Sequence, residues 1–216
     1  FGQSVNNKML YENVVPNPDV TWEVANQSNI GFNATLLNKK LTVEADIFYN
    51  LRSHILWQAS AVIPVSTGMT LPPQNIGKVS NRGFEYIITY SGSAGQLGYN
   101  LSLNGSYAKN KIDFTFDTPG IPEYQKAQGK PMDAGLNYVA IGIFDNAEDV
   151  ASHPHWAGAQ PGDVIFKDMN NDKKIDGLDR VRDDKNNMPR FIGGFNAVLT
   201  YKQFDLSMLF QGAAGA

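Results

Sequence analysis

Cysteine is absent from the 216 residues, which excludes disulfides, thiolate zinc sites and cysteine nucleophiles together. Charge is sparse: Asp, Glu, Lys and Arg make up 18% of the chain and the formal balance is -3, so the basic stripe that a nucleic-acid binder needs is missing. No window is an apolar run of the roughly 20 residues that a membrane-crossing helix requires, so a helical membrane protein is excluded. FGQSVNNKML has neither a basic start nor an apolar centre, so it does not read as a signal peptide. The other end stops on small residues just after an apolar strand, and together the two ends lead us to expect a piece of a longer polypeptide. No serine elbow, metal-binding helix or phosphate-cradling glycine loop is found, so no enzyme is expected.

What the chain has is alternation. Ile30, Phe32, Ala34 and Leu36 occupy one face of a strand, with Gly31, Asn33 and Thr35 on the other. Asn38-Lys39-Lys40 makes a tight polar turn. Leu41, Val43, Ala45, Ile47 and Tyr49 then resume one face, opposite Thr42, Glu44, Asp46 and Asn50. A second pair follows, with Phe84, Tyr86, Ile88 and Tyr90, a short turn in SGSAGQ, then Leu97, Tyr99, Leu101, Leu103 and Tyr107. A third runs from Phe191 through Phe195, Ala197, Leu199 and Tyr201, turns at Lys202-Gln203, and returns through Phe204, Leu206, Met208 and Phe210. The pairs are expected at about 29–51, 82–109 and 190–213. Long loops are expected at about 52–78, where Pro64, Gly68, Pro72, Pro73 and Gly77 break regularity, and at about 110–189, where NAEDV is a short helical candidate.

Short turns therefore alternate strictly with long loops. The fold class expected is all-β: antiparallel up-and-down strands forming part of a large transmembrane β-barrel, with brief turns on one side and extended loops outside. Strands of about 9 to 11 residues cross a bilayer, and Tyr49, Tyr90, Tyr107, Tyr201 and Phe204 lie near expected strand ends, as interfacial aromatic girdles would. Three hairpins fall short of the roughly eight strands a closed barrel needs, so the chain spans part of a wall. A secreted calcium-stabilised β-sandwich that binds carbohydrate or a partner protein shows the same period of two and is the alternative.

Several strings resemble one family. NPDVTWEVANQSNIGFNATLLNKKLTVEADIFYNLRSHIL, NIGKVSNRGFEYIITY, PGDVIFKDMNNDKKIDGLDR and RFIGGFNAVLTYKQFDLSMLFQGAAG occur in the order seen in the barrels of SusC/RagA-like TonB-dependent transporters of Bacteroidetes. The resemblance covers nearly all of residues 1–216 and implies a carboxy-proximal part of the barrel in the outer membrane, surrounded by membrane lipid. It also implies nutrient import, with a glycan or peptide as cargo. The implied partners are a SusD-like surface lipoprotein and the TonB complex, reached through a plug that this segment lacks. None is a nucleic acid.

One motif stands apart. DMNNDKKIDGLD places Asp168, Asn170, Asp172, Asp176 and Asp179 at calcium-ligand spacing, with Lys174 offering a backbone carbonyl and Ile175 anchoring the loop inward. It departs from the EF-hand form at Lys173, where glycine makes the sharp turn, and at Asp179, which replaces a bidentate Glu. Two readings stand: a structural Ca2+ site, or a solvated acidic loop held by local Asx turns. His153 and His155 lack a third zinc ligand. Trp22, Trp57 and Trp156 are candidate sugar platforms or packing residues, and Glu44, Asp46 and Glu85 are candidate lumen contacts to cargo or plug.

Overall fold

Residues 16–58, 72–185 and 187–216 are described by a computed structural model of the chain. Alternating side chains drive six long strands into one antiparallel sheet: β1 (Val24–Leu36), β2 (Leu41–Gln58), β3 (Pro73–Ala94), β4 (Leu97–Phe114), β9 (Phe191–Tyr201) and β10 (Phe204–Ala214), adjacent in that order. Between β4 and β9 lie β5 (Leu136–Tyr138), β6 (Ala140–Ile143), α1 (Ala147–Ser152), β7 (Val164–Phe166) and β8 (Arg180–Arg182). Within this excursion β5 pairs with β8 and β6 with β7. Asn146 caps α1 by accepting the Asp149 N–H at 2.9 Å, which satisfies one of the free donors at a helix start.

The turns at one end are short. Leu37, Asn38 and Lys39 all take positive φ between β1 and β2, Gly95 does so between β3 and β4, and Lys202 between β9 and β10, which suits the right-handed twist of tight hairpins.

Two loop boundaries differ from the expectation. The interval expected as a loop at 52–78 is strand as far as Gln58 and again from Pro73; between them, 59–71 lies outside the described residues. Pro73 does not disrupt the ladder because it opens its strand, where a missing N–H is tolerated. Alternation is masked because register shifts fall between Arg52 and Ile55 and between Ile55 and Leu56, with His54 at φ 57°. A bulge of this kind flips the phase of the side-chain pattern. Likewise the interval 110–189 begins as β4, which continues to Phe114, and later contributes four short strands and α1.

The sandwich alternative is overturned. Among the described residues no second large sheet covers the apolar face, and Ile30, Phe32, Ile47 and Phe210 stay more than half exposed. Apart from Ala197 within β9, the small core sits instead in and beneath the excursion, at Val79, Ile112, Ala134, Phe144, Ile165 and Ile175.

Candidate functional site

Strand register decides what each face can do, because directly paired residues in an antiparallel sheet project to the same side. Ile30, Ile47, Phe84, Tyr107 and Phe191 form one continuous row, and Ala34, Val43, Ile88, Leu103, Phe195 and Phe210 another. On β4 the apolar face runs from Leu97 to Tyr107. Those positions cover roughly 33 Å of strand, or about 25 Å of height at a tilt near 40°. Aromatic pairs mark both edges: Phe84 stacks on Tyr107 and Tyr90 on Tyr99, each with ring centroids 5.7 Å apart. Tyr49 and Tyr107 thus stand inside long strands, at the edge of the apolar band rather than at strand ends.

The opposite face is polar. Asn33, Glu44, Asn104 and Gln211 share one row with Ile87, and Asp46, Glu85 and Ser106 the next. Glu44 accepts from Asn33 Nδ2 at 3.2 Å, and Asp46 is the direct partner of Glu85. The structure therefore brings the three expected carboxylates into one patch. Beside it lies a groove of about 390 Å³, lined by Glu85, Ile87, Asn104, Ile192, Leu209 and Gln211.

Trp57 and Trp156 are elsewhere. Trp57, near the end of β2, packs where a Gly77 side chain would project. Trp156 lies in the excursion with ring centroids 5.4 Å from Phe166 and 6.4 Å from Phe144. Trp22 is 91% exposed. His153 contacts Asp149 Oδ1 at 3.0 Å through Nδ1.

In the acidic loop, Asp168 accepts the Asn171 N–H at 2.7 Å and the Lys173 N–H at 2.8 Å, while Asp172 accepts the Lys174 N–H at 2.9 Å and Asn170 Nδ2 at 2.9 Å. Lys173 takes φ 66°, so it adopts the backbone that glycine would supply at that position. Ile175 is buried, and Asp179 is completely so. The Asp179 oxygens accept from Met169 and Asp176 N–H, both at 2.8 Å, and the second bond belongs to a reciprocal capping box over a short 3-10 turn, Gly177–Asp179. Among the described residues no three His, Asp or Glu side chains gather as a metal-ligand group.

Three residues absent from the sequence expectations hold this loop. Gln125 Nε2 donates to the carbonyls of Gly177, Leu178 and Arg180 at 2.8 to 3.0 Å. Arg182 donates to Gln125 O and Ala134 O, both at 3.0 Å. Tyr124 OH donates to Leu178 O at 2.8 Å, and partial burial, followed by the field of Asp179, Asp168, Asp172 and Asp176, pushes its phenol pKa up.

No described helix is long and apolar enough to cross a membrane, whereas the band on the sheet has the height of a bilayer core. The family model described as TonB dependent receptor-like, beta-barrel matches residues 2–213. The chain belongs to that family. Its sheet is therefore a part of the wall of an outer-membrane TonB-dependent receptor barrel, with its apolar face to lipid and its polar face to the lumen. Its role is that of a barrel wall and not of a catalyst.

Two TonB-dependent receptors of Formosa agariphila, P3 and P39, are each 26% identical to it, over 99% and 90% of this chain. The chain spans 22% of the length of each. The fold is also that of solved RagAB peptide importers. The open-open state matches at TM-score 0.69 with 19% identity, over 94% of this chain and 22% of the other. The closed-closed state matches at 0.62 with 20% identity, over 92% and 22%.

Proposed function

We propose that this TonB-dependent receptor segment serves nutrient import across the outer membrane, as part of a larger barrel that takes up a glycan or a peptide. The supporting observation is the sheet itself: a polar lumen wall behind a lipid-facing band, with tight turns at one end and a folded excursion at the other. The structural likeness to complexes described as peptide importers supports a SusD-like surface lipoprotein as partner at the loop end, and family membership supports energisation by TonB. Glu44, Asp46 and Glu85 are the wall residues we assign to contact with cargo or plug. For Trp156 and Trp57 we favour packing, since each ring is already engaged.

The test is uptake. Deleting the full-length receptor should abolish growth on one class of oligosaccharide or peptide as sole nutrient, and complementation should restore it. Undiminished uptake of every such nutrient would overturn the import reading.

We further propose a structural Ca2+ at the acidic loop. The support is the glycine-like backbone at Lys173, the inward Ile175 and an all-oxygen donor set, the kind that suits a hard cation. The side chains fit less well than the backbone: Asp168, Asp172, Asp176 and Asp179 all accept loop amides and must share or turn oxygens toward the ion, with Asn170 and the Lys174 carbonyl completing the set. Such an ion would neutralise clustered carboxylates and fix the excursion. Calorimetric titration of the full receptor with Ca2+ tests this against Asp172→Ala; equal affinity in the two proteins would remove the site.

A further inference from the structure

Immediately above the lipid-facing band the same face of the sheet changes character. Two positions beyond the Ile47–Phe84–Tyr107 row, Tyr49, Arg82 and Lys109 form the next outward row, with Arg82 directly paired to both neighbours. Lys111 follows on the same face. These residues and the folded-back excursion enclose a cavity of about 210 Å³, lined by Tyr49, Arg82, Lys109, Lys111, Asp113 and Asp184. Both carboxylates are already engaged: Asp113 by Lys111 at 2.8 Å and Asp184 by Lys130 at 2.6 Å. Among the described residues neither Arg82 nor Lys109 has an ion-pair partner, although Lys109 adds to the field that lowers the Asp184 pKa behind the larger effect of Lys130.

We propose that this cavity binds the phosphate of an anionic lipid in the outer leaflet, with Arg82 and Lys109 as the phosphate ligands. Guanidinium and ammonium donors side by side suit a phosphate's oxygens. The position selects a lipid over a free anion. Acyl chains that leave a headgroup held here run straight onto Ile47, Phe84 and Tyr107, which are outward and adjacent. The tight turns mark the periplasmic end, so the cavity lies at the outer leaflet. The lumen-facing Arg52, by contrast, is bonded to Glu23 at 3.2 Å and serves as the control. The inference rests on membership in the barrel family and not on the identity of the cargo.

The experiment uses the full-length receptor in nanodiscs of neutral phosphatidylcholine, titrated with lipid A, with dephosphorylated lipid A and with inorganic phosphate, and reads bound lipid by native mass spectrometry. Lipid A should bind the wild type, and the dephosphorylated form and free phosphate should bind at least about tenfold more weakly. R82Q/K109Q should lose about tenfold or more in lipid A affinity, on the scale of two basic residues at an anionic surface, while R52Q should keep it. Heat-modifiable gel mobility establishes that each variant barrel is folded. Equal binding of phosphorylated and dephosphorylated lipid to the wild type would overturn the proposal whatever the variants do. So would equal affinity in R82Q/K109Q, or an equal loss in R52Q.

Discussion

The ring tip of Phe48 on β2 occupies the space where a side chain at Gly83 on β3 would project, with its Cζ 2.6 Å from the place of a Cβ. The carbonyl of Tyr107 closes the same space from the other side. Phe48 is thus a large ring on the lumen face, seated on a bare stretch of the neighbouring strand. Gly83 is required here for its missing side chain, since its φ is not among the positive ones. Because backbone as well as ring stands in the way, Gly83→Ala is expected to destabilise the barrel by about 1–3 kcal/mol, the usual cost of overpacking. Gly142→Ala, whose added Cβ would meet only the flexible Ile165 Cδ1 at 3.4 Å, should be close to neutral, within about 1 kcal/mol. Denaturant unfolding of the full receptor in detergent, followed by heat-modifiable mobility, compares them; equal stability of the two variants would contradict the packing argument.

A second expectation concerns Gln125. Its one amide nitrogen satisfies three carbonyls of the acidic loop from a position more than fifty residues away in sequence. Gln125→Ala should leave those part-buried acceptors short of donors at a local cost of about 1 kcal/mol. Gln125→Glu, which turns an acceptor toward acceptors, should be no better. Amide hydrogen exchange across residues 168–182 should accelerate in both variants while the long strands stay protected. Unchanged exchange would show that the loop holds without Gln125.

How far the sequence reveals this arrangement depends on the range of the interactions. The β1 and β2 faces are legible because alternation from Ile30 to Leu36 and from Leu41 to Tyr49 is local and unbroken. The far half of β2 is not, because the irregularity around His54 shifts the phase, and because Gly77, which reads as a breaker, is the residue that faces Ile55 at that shift. Strands of three residues such as β5 and β8 have no period to detect; they exist because Leu136 meets Arg182 across the excursion. The acidic spacing was plain in the sequence, but the Gln125 clasp on it was not, since nothing near Gln125 points to residues 177–180. Arg82 and Lys109 are likewise ordinary surface cations until register places them side by side.

Tyr124 reports on the acidic loop. Burial raises its phenol pKa first, and the carboxylates of Asp179, Asp168, Asp172 and Asp176 add to it. A folded pKa above the unfolded value means that the stabilising contribution is complete below about pH 10, the ordinary tyrosine value, and is lost as pH rises through the higher folded value. A Ca2+ ion among those carboxylates cancels their field, so adding it should lower the Tyr124 pKa toward the ordinary value. Phenolate absorbance of the full receptor, with Tyr124→Phe subtracted to isolate the one group, measures the shift. An unchanged titration with Ca2+ would leave the loop as a set of local Asx turns.

The edges of the sheet give the last expectation. Each of β1 and β10 pairs on one side only among the described residues, and both carry large apolar side chains in the open: Ile30 is 80% exposed, Phe204 77% and Phe210 61%. Unpaired strand backbone next to such surface is a template for association in water. In the whole barrel both problems vanish, because neighbouring strands pair the edges and lipid covers the face. Residues 1–216 expressed alone are therefore expected to enter solution only with detergent, and to run as polydisperse assemblies in size-exclusion chromatography. Glu or Lys substitutions at Ile30, Phe32 and Phe210 should raise solubility of the isolated segment and lower the yield of folded full-length receptor in the membrane. Those opposite effects follow from one cause, the lipid-facing role of these side chains, and a monomeric, cooperatively unfolding segment in plain buffer would contradict it.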